Sequence, residues 1–337
     1  MSHNVSDIPS RIDADVQNLP PLSTEALEAI KGTVRTRALE IDEEDLETIF
    51  DLLREVGLSV VATINEADDP NVRIWRLFDG AELVHDDNAV AVSFSPDGET
   101  VATINEPEDP NVRVWKVVDG RLLLTDDNAV DVVFAPDGRH VAAINESSDP
   151  NVRVYGLPSG TEVVYDDNAV SVVFSPNGNH VACINEAADP NVRVYDLPTG
   201  TEVLTDDNAV RATFSPDGAY VACVNQSRDP NVRVFELSSG TEVLVDDNGV
   251  DVVFGPDSTS VGVINESTDP NVRVYSLPGG TEVITDDNAV DLTYGPDGDY
   301  VACVNEDSDR NVRVYRVDNG NEVVYDDNAV KAVFNHV

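Results

Sequence analysis

The chain has 337 residues, 64 of them acidic and 21 basic, for a net charge of −43. A surface so negative lacks the basic stripe that phosphate backbones require, which argues against nucleic acid as a partner. No stretch approaches the roughly 18 apolar residues of a membrane-spanning helix, which argues against a membrane role.

Residues 1–20 read as a flexible arm, and residues 1–17 contain no apolar core of a secretory signal. Two helices are predicted next. The first covers 24–39, with Leu27, Ile30 and Val34 at helical spacing. The second covers 43–56, with Asp42 as N-cap, Leu46, Ile49, Phe50 and Leu53 on one face, and Gly57 as its stop. Residues 1–57 thus form an N-terminal arm with two short helices.

From about residue 58 the chain repeats. Asp-Pro-Asn-Val-Arg starts at Asp69, Asp109, Asp149, Asp189, Asp229 and Asp269, and again at Asp309, where Arg310 replaces the proline. A fixed period of forty residues is the mark of a repeat architecture. In the unit beginning at Asp166, 169–174 is an apolar, β-rich strand and Ser-Pro-Asn-Gly (175–178) a tight turn. Residues 180–185 form a second strand, 191–197 an alternating third, and 201–205 a short fourth. Four antiparallel strands per forty residues make one propeller blade. The first unit lacks its innermost strand, whereas 329–334 is a spare one at the other end. The prediction is an all-β, seven-bladed β-propeller over 58–337, closed by pairing of the C-terminal strand with the first blade.

Phe94-Ser-Pro-Asp-Gly and Asp109-Pro-Asn-Val-Arg-Val-Trp, at this period, resemble WD40 repeats. The resemblance covers 58–337 and implies a non-catalytic scaffold that binds a protein or peptide partner. Where that family has Gly-His before the innermost strand, this chain has Asp-Asp-Asn, so the family's Asp–His network has no counterpart here.

Two sets of positions are candidates. The structural set is each repeat Asp and the arginine four residues on, the arginine being free to pair with any nearby carboxylate: Asp69 and Arg73, Asp109 and Arg113, Asp149 and Arg153, Asp189 and Arg193, Asp229 and Arg233, Asp269 and Arg273, Asp309 and Arg313. A guanidinium there is suited to a bidentate carboxylate pair that ties loops within or between blades. The partner-binding set is where the repeats differ. One slot, in the loop, holds Asp68, Glu108, Ser148, Ala188, Arg228, Thr268 and Ser308; the other, on the innermost strand, holds Ala91, Asp131, Ser171, Arg211, Asp251, Asp291 and Lys331. Comparable slots contact partners in WD40-like proteins.

The Asn-Glu-x-x-Asp and Asp-Asp-Asn loops put 27 acids on one face. Bound cations are possible there, since carboxylates such as Asp86 and Asp87 are hard oxygen ligands, but no Asp-x-Asp-x-Asp-Gly loop is present. No metal site, cofactor or catalytic constellation is assigned. His140 and His180 share a slot with Tyr220 and Tyr300 and read as rim residues. Cys183, Cys223 and Cys303 share one small buried slot with Thr63, Thr103, Ala143 and Val263. Reduced thiols and the acidic composition point to a cytoplasm rich in salt, because ions must screen such self-repulsion. The alternatives are a lactonase-like or lyase-like propeller enzyme with a site at the central channel, and a cation-binding or oligomerisation module.

Overall fold

The computed structural model describes residues 59–65, 71–77, 79–105, 111–145, 151–185, 191–225, 231–265, 271–305 and 311–335. The N-terminal arm and its two predicted helices lie outside them.

Two compact units divide the chain: Met1–Phe134 with Leu157–Gly160, and Ala135–Gly156 with Thr161–Val337. The first contains β1 (Val60–Asn65), β2 (Asn71–Arg76) and β3 (Glu82–Asp87), which form a three-stranded sheet. It also contains the four-stranded sheet of β4 (Ala89–Phe94), β5 (Thr100–Asn105), β6 (Asn111–Lys116) and β7 (Arg121–Asp127). The next sheet consists of β8 (Asp131–Phe134), β9 (His140–Asn145), β10 (Asn151–Gly156) and β11 (Thr161–Asp167). Four further sheets belong to the second unit. They are β12 (Ser171–Phe174), β13 (His180–Asn185), β14 (Asn191–Asp196) and β15 (Thr201–Asp207); β16 (Ala209–Phe214), β17 (Tyr220–Asn225), β18 (Asn231–Glu236) and β19 (Thr241–Asp247); β20 (Gly249–Phe254), β21 (Ser260–Asn265), β22 (Asn271–Ser276) and β23 (Thr281–Asp287); and β24 (Ala289–Tyr294), β25 (Tyr300–Asn305), β26 (Asn311–Arg316) and β27 (Glu322–Asp327). Every sheet is a meander in sequence order, as a β-propeller blade requires.

Local chemistry explains the repeated joints. In the turn after β4, Ser95 Oγ donates to Asp97 Oδ1 at 2.6 Å, and Glu99 N donates to the same oxygen at 3.0 Å. Gly98 follows at φ +71°, a conformation glycine adopts without a Cβ penalty. The link between one outermost strand and the next innermost strand passes through Asn88, Asn128, Asn168, Asn208, Asn248, Asn288 or Asn328, all with φ between 68° and 75°. Asparagine is, after glycine, the residue best suited to that left-handed turn. This accounts for the third residue of Asp-Asp-Asn.

The core lies between consecutive sheets. In the second unit, Ala182, Val192, Val194 and Leu204 pack on Ala212, Phe214, Val221, Cys223 and Phe235 of the sheet that follows. In the first, Val72, Ile74 and Val84 pack on Ala89, Val101 and Val117. Burying each such valine contributes about 1.5–3 kcal/mol, and no single sheet supplies both walls.

Among the described residues the first sheet has three strands, and residues 329–335 form no regular strand. Val330 and Val333 are exposed.

Candidate functional site

The most organised chemistry lies at the seams between consecutive sheets. Its acceptor is the first aspartate of Asp-Asp-Asn. Asp86, Asp126, Asp166, Asp206, Asp246 and Asp286 are the last but one residues of the outermost strands and are at most 2% exposed. The adjacent Asp87, Asp127, Asp167, Asp207, Asp247 and Asp287 are exposed. Strand alternation separates the two carboxylates: the first shares the face of Val72-type residues, which meets the next sheet, and the second points away.

The repeat arginines supply the donor. Arg193 Nη1 reaches Asp166 Oδ1 at 3.1 Å, Arg233 reaches Asp206 at 3.4 Å, Arg273 reaches Asp246 at 3.4 Å and Arg313 reaches Asp286 at 3.0 Å. Arg113 pairs with Asp86 in the same manner. The partner is always 27 residues upstream, in the preceding sheet. Each contact uses one guanidinium nitrogen, in place of the bidentate fork expected. The repeat aspartates of the structural set (Asp69, Asp109, Asp149, Asp189, Asp229, Asp269 and Asp309) lie outside the described residues. Some arginines also lean on their own sheet: Arg73 Nε is 3.8 Å from Glu82, and Arg233 Nε is 3.9 Å from Glu242.

The second carboxylate oxygen is served by the aromatic residue two positions beyond the arginine. Tyr195 Oη donates to Asp166 Oδ2 at 2.7 Å, Tyr275 to Asp246 at 2.5 Å and Tyr315 to Asp286 at 2.9 Å. Where the aromatic is Trp115, its N–H stops short of the carboxylate. It donates instead to Thr103 Oγ1 at 3.0 Å, and that hydroxyl donates to Asp86. Where it is Phe235, nothing serves the oxygen: Asp206 Oδ2 is buried without a hydrogen-bond partner. The slot facing the aromatic follows the same logic. Threonine accompanies tryptophan (Thr63 with Trp75, Thr103 with Trp115), and cysteine accompanies tyrosine or phenylalanine (Cys183, Cys223, Cys303).

Burial raises the pKa of Asp166, Asp246 and Asp286 above the usual carboxylate range, opposed by the tyrosine hydrogen bond and the arginine charge. Burial also raises Asp206, which has Arg233 alone to oppose it. Tyr195, Tyr275 and Tyr315 are pushed far up by burial and by donating to a carboxylate. Burial likewise raises the thiols of Cys183, Cys223 and Cys303, so they remain neutral packing groups rather than nucleophiles.

Of the partner-binding candidates, the loop slot (Asp68, Glu108, Ser148, Ala188, Arg228, Thr268, Ser308) lies outside the described residues. On the innermost strand, Asp131, Asp291 and Lys331 are exposed, whereas Ala91, Ser171, Arg211 and Asp251 are half-buried. Two of these meet: Arg211 Nη2 donates to Asp251 Oδ1 at 2.5 Å, across forty residues. Asp131, Asp251 and Asp291 each accept a hydrogen bond from the backbone N–H of the following residue. Among the described residues, no three His, Cys, Asp or Glu side chains gather as metal ligands.

No family model matches the chain, and no curated protein matches it. Solved structures similar to it include a eukaryotic initiation factor, 14% identical over 80% of this chain and 85% of that one, with a TM-score of 0.37. Another is the C-terminal WD40 domain of Sif2, 16% identical over 77% of this chain and 79% of that one, with a TM-score of 0.40.

Proposed function

We propose that this chain is a non-catalytic propeller scaffold that holds a protein or peptide partner in a salt-rich cytoplasm, with 58–337 as the binding module and 1–57 as a separate arm. One observation carries the reading. Buried carboxylates recur from seam to seam, Asp86, Asp166, Asp206, Asp246 and Asp286 each held by an arginine of the next sheet, and they are spent on joining sheets. Catalysis calls for dissimilar groups converging on one point, and a repeated seam spreads similar groups along the sheets. What differs between repeats, and so can select a partner, is the exposed part of the innermost slot: Asp131, Asp291 and Lys331. The exposed second aspartates favour a partner with basic character and disfavour nucleic acid and anionic membranes.

The test is capture from extract of the native host on immobilised protein in about 2 M KCl, a concentration at which weak non-specific charge attraction is screened. A single protein retained by the wild type and lost on Asp131→Ala, Asp291→Ala and Lys331→Ala together supports the reading. Retention unaffected by all three substitutions sinks this assignment of the surface.

A further inference from the structure

Asparagine followed by glycine is the step at which a chain most readily attacks itself, because glycine has no side chain to keep its amide nitrogen from the preceding carboxamide. The sequence contains three such steps: Asn177-Gly178, Asn248-Gly249 and Asn319-Gly320. The first and the last read Asn-Gly-Asn alike, so their immediate sequence does not set them apart. The fold does.

Asn177 lies in the turn after β12, where other repeats carry Asp97, Asp137, Asp217, Asp257 and Asp297. Its Oδ1 accepts from Ser175 Oγ at 2.8 Å and from Asn179 N at 3.0 Å, the same two bonds that Asp97 makes. Its Nδ2, which no aspartate possesses, donates to the backbone oxygen of Asp217 at 2.9 Å, one repeat on. A Cβ on Gly218 would collide with that nitrogen, so the amide is seated against the neighbouring turn. Gly178 is buried, and its N–H donates to Ser175 O at 2.9 Å. Both ends of this carboxamide are held. The carboxamide of Asn248 makes no hydrogen bond among the described residues, but its glycine is fixed. Gly249 is buried in β20 opposite Asn265, and a Cβ there would lie 2.7 Å from Val263 and 2.8 Å from Val232.

Asn319 lacks both restraints. It is exposed in the turn between β26 and β27, and Gly320 is half-buried. Its Oδ1 accepts from Asn321 N at 2.9 Å, while its Nδ2 has no hydrogen-bond partner among the described residues. The exposure is a property of this turn in every sheet: Ser159, Thr199, Ser239 and Gly279 hold the same place and are exposed too. Thr199 and Ser239 hydrogen-bond within their own turns, so a neighbouring sheet does not cover this position.

We propose that Asn319 is a site of spontaneous backbone modification, with solvent water as co-reactant, and that Asn177 and Asn248 are protected from it. The amide nitrogen of Gly320 bonds to Cγ of Asn319. The Cγ–Nδ2 bond breaks, and Nδ2 leaves as ammonia with the proton that the glycine nitrogen sheds, closing a cyclic imide. Water then opens the ring, and no electrons are exchanged. Attack at Cγ gives aspartate; attack at the backbone carbonyl gives isoaspartate, whose main chain runs through the former side chain. The turn now closes with Gly320 N–H donating to Arg316 O and Arg316 N–H donating to Asn321 O, both at 2.9 Å. A longer main chain breaks that closure and loosens the end of β26 against β27.

The full chain, folded in about 2 M KCl under mildly alkaline conditions, is sampled over time. Peptide mass spectrometry with electron-transfer fragmentation reads aspartate and isoaspartate at each step. Asn319 should convert at least about tenfold faster than Asn177, the effect of one further hydrogen bond that must be released first. Unfolded in urea, the two Asn-Gly-Asn steps should convert at equal rates. Ser175→Ala removes a hold on Asn177 and is tolerated in kind, since Ala135 occupies the equivalent place; it should speed conversion at Asn177 and leave Asn319 unchanged. Three results would overturn the proposal: Asn177 or Asn248 converting as fast as Asn319 in the folded chain, Asn319 staying intact there while the unfolded chain converts, or the difference between Asn319 and Asn177 persisting in urea.

Discussion

Phe235→Tyr should stabilise the protein. Asp206 Oδ2 is buried and has no hydrogen-bond partner, whereas the same atom of Asp166, Asp246 and Asp286 accepts a tyrosine hydroxyl at 2.7, 2.5 and 2.9 Å. Phe235 and Tyr195 are both 9% exposed, so the ring already occupies its place and only the hydroxyl is missing. A hydrogen bond to a charged acceptor contributes about 1.5–3 kcal/mol, and satisfying a desolvated oxygen belongs at the lower end because Arg233 already neutralises part of the charge. The expected gain is about 1.5 kcal/mol, or roughly 2 °C in melting temperature for a chain of this size. Tyr275→Phe is the reverse experiment and should cost a similar amount. Both are read by calorimetry and by denaturant titration at one fixed salt concentration. If Phe235→Tyr leaves stability unchanged while Tyr275→Phe lowers it, the Asp206 seam is built differently from its neighbours. If neither substitution moves it, the tyrosine hydroxyls do not hold these carboxylates.

Thr103→Ala should cost about 1–2 kcal/mol by cutting the bridge from Trp115 to Asp86, and Trp115→Tyr in that background should recover most of it; a double-mutant cycle reads the coupling. Burial lowers the pKa of His140 and His180 below 6.5. Their contribution to stability is therefore complete above about pH 6.5 and is lost as pH falls through the lowered value. The buried aspartates, whose pKa is raised, act oppositely, losing stability as pH rises through their shifted values. The comparison is thus between the wild type and His140→Tyr/His180→Tyr, which should show a shallower loss of melting temperature from pH 7.5 to 5.5; identical profiles would remove the histidines from the account. Finally, raising KCl from about 0.2 to 2 M should raise the melting temperature, because screening relieves self-repulsion. A salt-independent melting curve would contradict the reading of the composition.

Much of the fold is legible in the sequence because it depends on short-range patterns. Ser-Pro-Asp-Gly announces its turn, and Asn111-Val-Arg-Val-Trp alternates as β6 does. The seam is less legible, because the partners are 27 and 29 residues apart and belong to different sheets. Sequence spacing drew attention to the loop aspartate four residues from each arginine. The folded sheets bring the arginine against a carboxylate of the preceding sheet. Burial of one aspartate in Asp-Asp and exposure of the other depend on which face meets a neighbour, so chemically identical residues acquire opposite roles. One written signal did exist: threonine occurs opposite tryptophan at 63 and 103 and is replaced by a smaller or less polar residue in the later repeats. That covariation marks a shared acceptor.

The seam divides its parts between neighbours, with the carboxylate contributed by one repeat and the hydroxyl and guanidinium by the next. Any forty-residue segment copied in tandem, wherever the copy begins, therefore brings along one whole joint. Gene duplication can lengthen or shorten such a chain without having to respect the boundaries of a sheet, and what is inherited intact is the hinge between panels rather than the panel.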